Sequence, residues 1–411
     1  MTGRQLTRTG LAALAAAAVA ATAFAAPAQA EERPTVRHTA TQQAFDTLVK
    51  SGLPGVTGQA RDAKGVWKGA SGVGNLKTGK ARGKDDRFRI GSITKTFVAT
   101  VLLQLEAEGK LDLDDTVEKH LPGLVTGNGN DGSTVTVRQL LNHTSGLYDY
   151  TSSPSFAERY FLASGFFENR YTSVAPETWV KEAMTRPPNF TPGDRHDYSN
   201  TNYVLAGLVL EKVTGDSYEN QVRERIIKPL GLKATTVPGD SPRMPKQSAR
   251  GYSKLADSPT TVKVYDVTEL NPSVAWAAGD MISSAGDLNR FFSALMRGKL
   301  IPAEQLKAMK TTVSGYGLGI GTGTIGCGVT LWGHGGGIHG SGSSAVTTED
   351  GRHTLTFNVN GHWGGDGDPV AAEFCGTKAK KGVAAKGSAT LTGAGFNTGF
   401  NTGFADGFTR R

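Results

Sequence analysis

A serine set three residues before a lysine occurs once in this chain, at Ser92-Ile93-Thr94-Lys95. Residues three apart lie on one helix face. An apolar run with helical spacing follows: Phe97, Val98, Val101, Leu102 and Leu105, closed by Gly109. Ser92 would thus open a buried helix with the Lys95 amine one turn above its hydroxyl. A serine hydroxyl is a weak nucleophile until a neighbouring base takes its proton, and the backbone N–H groups at a helix start favour a developing anion. The pair is therefore a candidate acyl-enzyme site. A pattern with two fixed positions also arises by chance, so its meaning depends on partners elsewhere.

Two further stretches supply them. Tyr198-Ser199-Asn200 follows the turn Thr191-Pro192-Gly193-Asp194 and precedes a helical run, so a phenol and a carboxamide two residues apart on a loop can face one cavity. His334-Gly335-Gly336-Gly337 comes just after a strand-like run. Bare backbone there lets a substrate approach closely, and the Gly337 N–H is a candidate oxyanion donor. Three lookalikes are set aside. Tyr218-Glu219-Asn220 repeats the Tyr-x-Asn spacing inside an amphipathic helix, where residues two apart diverge. His362-Trp363-Gly364 lies past the last hairpin, and His143 is expected to be a structural histidine.

Taken in order, Ser-x-x-Lys, Tyr-x-Asn and His-x-Gly resemble the motifs of the serine β-lactamase and DD-peptidase superfamily. The resemblance runs over about residues 35–376 and is to class C β-lactamases and, above all, the soluble secreted D-alanyl-D-alanine carboxypeptidases. Phe88-Arg89-Ile90-Gly91-Ser92, His143-Thr144-Ser145-Gly146-Leu147-Tyr148-Asp149-Tyr150, Pro229-Leu230-Gly231-Leu232 and Tyr316-Gly317-Leu318-Gly319 extend it. It implies that Ser92 is acylated and that Lys95 and Tyr198 share the proton transfers, the ammonium favouring a phenolate. Asn200 would orient Lys95 and the substrate amide. His334 would stand where other members carry a lysine and tune the field. The N–H groups of Ser92 and Gly337, beside Gly336, would form an oxyanion hole worth about 3–4 kcal/mol per donor. Trp276 would wall the cleft. No cofactor is implied.

The resemblance has a gap. The secreted carboxypeptidases place an arginine after Tyr-Gly-Leu-Gly-x, and threonines around the glycine of His-x-Gly, to hold a terminal carboxylate. Gly321, Gly335 and Gly337 stand at those positions here. The implied function is a DD-carboxypeptidase or transpeptidase on peptidoglycan-type peptides. An esterase, D-aminopeptidase or amidase of the same fold, a class C-like β-lactamase, and a non-catalytic wall-binding or β-lactam-sensing protein are the alternatives.

These residues need a scaffold. Helices are expected over about 41–51, 92–109, 135–143, 173–184, 201–213, 217–227 and 285–297. A hairpin is expected through Asp62-Ala63-Lys64, and strands over 316–320, 329–333, 343–348 and 354–360, the last two joined at Asp350-Gly351. The fold class is thus α/β in the α+β sense: an antiparallel sheet drawn from both ends of the body, flanked by helices, with a mostly helical lobe inserted over about 110–270.

Bulk properties limit the rest. Residues 1–30 have the basic start, alanine-rich apolar run and Ala28-Gln29-Ala30 site of a signal peptide, so secretion with a mature start near Glu31 is expected. The net charge of +8 is concentrated in that leader and in Lys378, Lys380, Lys381, Lys386, Arg410 and Arg411 of the tail. The body is nearly neutral, which gives nucleic acid no footprint. No second stretch could span a membrane, and a monomer is expected. Cys327 and Cys375 are the only cysteines; in an exported chain a lone pair is expected to be a disulfide, worth roughly 4 kcal/mol in chain-entropy terms. The hydrolase domain is placed at 31–375. Residues 376–411, with a Gly-Phe pair every four residues from Gly395, form a low-complexity tail. No His-Glu-x-x-His, Cys-x-x-Cys or Gly-x-Ser-x-Gly occurs.

Overall fold

The computed structural model describes residues 38–256, 263–361, 363 and 366–376. The chain divides into a short unit, Met1–Thr35, and a large one, Val36–Arg411. All described residues belong to the second. The signal-peptide, tail and His362 expectations fall outside the described residues.

Six strands form one antiparallel sheet. β1 (Gly55–Asp62) and β2 (Gly65–Gly72) come from the start of the body; β3 (Gly321–Thr324), β4 (Thr330–Ile338), β5 (Ser341–Thr348) and β6 (Thr354–Val359) come from its end. Their order is β2-β1-β6-β5-β4-β3, so the two halves meet where β1 pairs with β6, Val56 opposite Val359 and Arg61 opposite Thr354. Successive strand residues point to opposite faces, and both faces of this sheet are covered. Phe357 meets Phe45 of helix α1 (Thr39–Lys50), ring centroids 6.0 Å apart. The neighbouring Thr356 turns the other way and donates to Asn289 of a helix at Ala285–Met296, at 2.8 Å.

Between β2 and β3 the chain is mostly helical. α2 (Thr94–Ala107) is buried around most of its surface until its last turn: Phe97, Val98, Val101, Leu102 and Leu105 have no exposed surface. Each such side chain contributes about 1.5–3 kcal/mol of burial. α3 (Asn200–Thr214), ended by Gly215 in the left-handed conformation, packs beside it. Together they make the core that carries the site. The Ala285–Met296 helix, α4, stacks Phe291 on Phe97 with centroids 3.7 Å apart. The last helix, α5 (Pro369–Cys375), lies against α1. Cys327 and Cys375 are bonded, with Cα atoms 5.8 Å apart, which ties the turn between β3 and β4 to α5. No helix among the described residues is long and apolar enough to cross a membrane.

The mixed α/β architecture is as expected, with corrections to individual elements. Residues 316–320 are a tight turn rather than a strand. Gly315 and Gly319 have φ of +82° and +72°, and Val313 and Tyr316 exchange backbone hydrogen bonds across the turn. The strand begins at Gly321. β4 does not stop at Gly333; it runs to Ile338, so His334 and the three glycines lie inside the sheet, with Gly337 opposite Gly342 of β5. The helix expected from Ser217 becomes a π-helical segment at Arg223–Ile227.

Candidate active site

Ser92 lies in a single 3-10 turn, Gly91–Ile93, that opens directly into α2. The turn is pressed against β4. A Cβ on Gly91, whose φ is +51°, would sit 2.8 Å from the Gly337 nitrogen, and a Cβ on Gly336 would sit 1.9 Å from the Ile90 carbonyl oxygen. Glycine at 91 and 336 is thus a steric requirement. Only bare backbone lets β4 lie against the strand that delivers Ser92. The Ser341 hydroxyl adds a hydrogen bond to the Arg89 carbonyl at 2.7 Å.

Lys95 is fully buried one turn on. Its Nζ lies 3.1 Å from Ser92 Oγ, 2.8 Å from Asn200 Oδ1 and 2.7 Å from the Ala278 carbonyl. Burial lowers its pKa to about 7, with Asp149 opposing. As an amine, Lys95 keeps two N–H donors for the two carbonyl oxygens and turns its lone pair to the Ser92 hydroxyl. As an ammonium it would donate to all three. Asn200 is itself held: its Nδ2 donates to Asp149 Oδ2 at 3.1 Å and to Thr151 Oγ1 at 3.2 Å.

Tyr198 packs its ring 4.9 Å from Lys95 Nζ and 4.1 Å from the His143 ring. The ring is partly exposed, whereas its hydroxyl is buried and meets no hydrogen-bond geometry among the described residues. Burial pushes the phenol well up, Asp149 adds to this, and Ser92 is the group that works against it. A phenolate is therefore disfavoured. Desolvation is the largest influence on this phenol, and the expected stabilisation of a phenolate by Lys95 does not offset it. His143 is buried beneath this tyrosine, where its Nδ1 accepts from the Ser199 N–H at 3.2 Å.

His334 faces the same aromatic layer, its ring centroid 6.5 Å from that of Tyr198. Nδ1 donates to the Gly335 carbonyl, so Nε2 accepts from Tyr316 Oη at 2.8 Å. Burial lowers its pKa to about 3. It is a neutral imidazole in a fixed tautomer, not a replacement cation for lysine.

Trp276, expected to wall the cleft, does not line it. It is 8% exposed, donates from Nε1 to Glu219 at 3.2 Å and meets Tyr218 edge-on at 5.1 Å. Its φ of +40° turns it into the core against Gly207. Its neighbours Val274, Ala275, Ala278 and Gly279 line the cleft instead. That cleft, of about 350 Å³, runs past Ser92, Asn200 and Gly337 and is walled by Tyr150, Phe156, Val274, Ile338 and His339. No lysine, arginine, aspartate or glutamate lines it among the described residues. The structure adds Asp149, Thr151, Tyr316 and the Ala278 carbonyl to the residues found from sequence. Their role comes from contacts distant in sequence, and no local spacing signals it. No group of three or more His, Cys, Asp or Glu side chains among the described residues is arranged to hold a metal.

The sequence profile of the beta-lactamase family matches residues 35–374. The chain belongs to the beta-lactamase family. It is a serine hydrolase of the beta-lactamase fold. Among solved structures, this beta-lactamase family chain is 53% identical to a D-stereospecific amidohydrolase from Streptomyces sp., covering 83% of this chain and 99% of that one at a TM-score of 0.79. It is 31% identical to the D-amino acid amidase of Ochrobactrum anthropi SV3, covering 78% and 90% at a TM-score of 0.68. Among curated relatives it is 29% identical to the putative penicillin-binding protein PbpX of Bacillus subtilis over 60% of this chain and 59% of that one. It is 32% identical to protein flp of Staphylococcus aureus over 43% and 33%. The chain thus spans less than two thirds of these curated relatives.

Proposed function

We propose that this protein is a D-stereospecific amidohydrolase, cleaving amides of apolar D-amino acids through an acyl-enzyme on Ser92. The observation that carries this reading is the cleft beside Ser92: apolar walls at Tyr150, Phe156, Val274 and Ile338, and among the described residues no lysine or arginine lining it to hold a substrate carboxylate. An unpaired carboxylate there would be costly, which disfavours the D-alanyl-D-alanine carboxypeptidase role. The 53% identity to the Streptomyces amidohydrolase supports the same substrate class.

In this reading the Lys95 amine takes the Ser92 proton as Oγ attacks the amide carbon, while the Asn200 and Ala278 oxygens hold the resulting ammonium. The N–H groups of Ser92 and Gly337 receive the oxyanion. Tyr198, protonated at the start, delivers its proton to the leaving nitrogen and regains one from the Lys95 ammonium, which returns to the amine. Water then attacks the ester with Lys95 again the base. His334 and His143 act by positioning Tyr198. Release of ammonia from D-phenylalanine amide and L-phenylalanine amide tests the proposal. The D-enantiomer is expected to turn over at least about 100-fold faster. Release of D-alanine from an acyl-D-alanyl-D-alanine peptide at a higher kcat/KM than either amide would overturn it. Export is part of the same proposal, and the intact mass of protein recovered from the medium, starting near Glu31, is its check.

A second reading, a penicillin-acylated protein, is favoured by the likeness to penicillin-binding protein 4 of Amycolatopsis lactamdurans, 28% identical over 62% of each chain. A long-lived adduct of a fluorescent penicillin on Ser92 would support it, and an unlabelled enzyme at saturating drug would exclude it.

A further inference from the structure

A second pocket, partly open to solvent, shares His339 with the Ser92 cleft but is otherwise built from different residues. Four arginines line it, Arg82, Arg87, Arg89 and Arg250, and no aspartate or glutamate does so among the described residues. Two of them are deeply buried, Arg82 at 5% and Arg89 at 3% exposure. A guanidinium carries five N–H donors and no acceptor. Arg82 spends Nη2 on Asn358 Oδ1 at 2.7 Å and sets Nε 3.2 Å from Asp86, while its buried Nη1 has no partner. Arg89 spends Nη2 on the carbonyls of Pro242 and Leu270, each at 2.9 Å; its Nε and Nη1 are buried without partners.

The nearby carboxylates compensate only in part. Asp86 serves Arg82 and Asp266 serves Arg250, at 2.7 Å. Asp280 acts on Arg89 only through space, and burial pushes its carboxyl well above the usual range. Buried cations are costly where N–H donors stay unpaired, and burial lowers both Arg82 and Arg89 to about 10 against the opposing charges of Asp86 and Asp280. The walls are fixed in place: the Arg87 N–H bonds the Gln247 carbonyl at 2.8 Å, and Gly340 packs against Gly251 backbone to backbone. Paired guanidinium N–H groups match oxyanions in geometry as well as charge.

We propose that this arginine-walled pocket binds a small oxyanion, inorganic or a carboxylate, at a site separate from the acyl cleft. The test needs no substrate and so does not depend on the amidohydrolase reading. Inorganic phosphate and acetate are titrated separately into the full chain at constant ionic strength against chloride, followed by calorimetry and by Tm. The expected result is saturable binding of one stoichiometric anion, with saturation by phosphate marking a free tetrahedral ion and by acetate a carboxylate. Removing one charge-assisted donor costs about tenfold or more in affinity, so Arg87→Gln and Arg250→Gln are each expected to weaken binding by that factor. Arg352→Gln, which removes an exposed charge elsewhere, leaves it intact. Arg87→Lys retains part of the affinity. Absence of saturation by either anion, or equal affinity in all the glutamine variants, overturns the proposal.

Discussion

At the residue scale, the feature that organises the site is one lysine out of water. Lys95 loses affinity for its proton because burial penalises the ammonium more than Asp149 supports it. Below about pH 7 the ammonium has no lone pair for Ser92; above it the amine does. The kcat/KM profile is therefore expected to rise with pH through an inflection near 7, the free-enzyme value that such a profile reports. Asp149 holds that value up, so Asp149→Asn should move the inflection to lower pH; an unmoved or raised inflection would show that another group titrates. Ser92 and Lys95 could be paired from sequence because three-residue spacing on a helix is local geometry. Asp149 could not, since its contact with Asn200 spans 51 residues. Trp276 failed for the related reason that its direction is set by a left-handed backbone angle imposed by packing.

At the element scale, the site depends on the contact between β4 and the turn carrying Ser92. Gly336→Ala would drive a methyl group into the Ile90 carbonyl. The expected cost is about 1–3 kcal/mol, together with loss of acylation. Gly326→Ala, in open space, should change neither the Tm nor the acylation rate. Helical periodicity made α2 legible in advance, and alternation made β5 and β6 legible. Alternation misled at Tyr316, Leu318 and Ile320, where two positive-φ glycines fold the pattern into a turn, and a glycine run concealed the continuation of β4 because its partner strand lies beyond it in sequence. A second joint is the α1–α5 brace, where the Glu373 carboxylate accepts from Thr41 at 2.6 Å and contacts His38 and His353 at 2.8 and 2.7 Å. Burial acts to raise its pKa, but the bonds from His353, Thr41 and His38 outweigh this and leave it below the ordinary 4.5. Its contribution is present above pH 4.5 and lost as pH falls through the depressed folded value. Thermal denaturation of Glu373→Gln should show a lower Tm at neutral pH and a shallower decline below pH 4.5 than the parent.

For the whole molecule, the Cys327–Cys375 bridge closes a sequence separation of 48 residues. The chain-entropy estimate for such a loop is about 4 kcal/mol. Cys327→Ser with Cys375→Ser should lower the Tm by roughly 5–6 °C for a body of this size while kcat stays close to the parent value. A matching fall in kcat at a temperature where both proteins are folded would mean that the bridge positions β4. The strand order also governs when the protein can form during its synthesis. Val56 must wait for Val359, so a nascent chain emerging from the ribosome presents β1 with an unclaimed hydrogen-bonding edge until nearly all of the body has been made. Assembly of the central sheet is therefore a late, nearly all-or-none event with a long lag of aggregation risk before it.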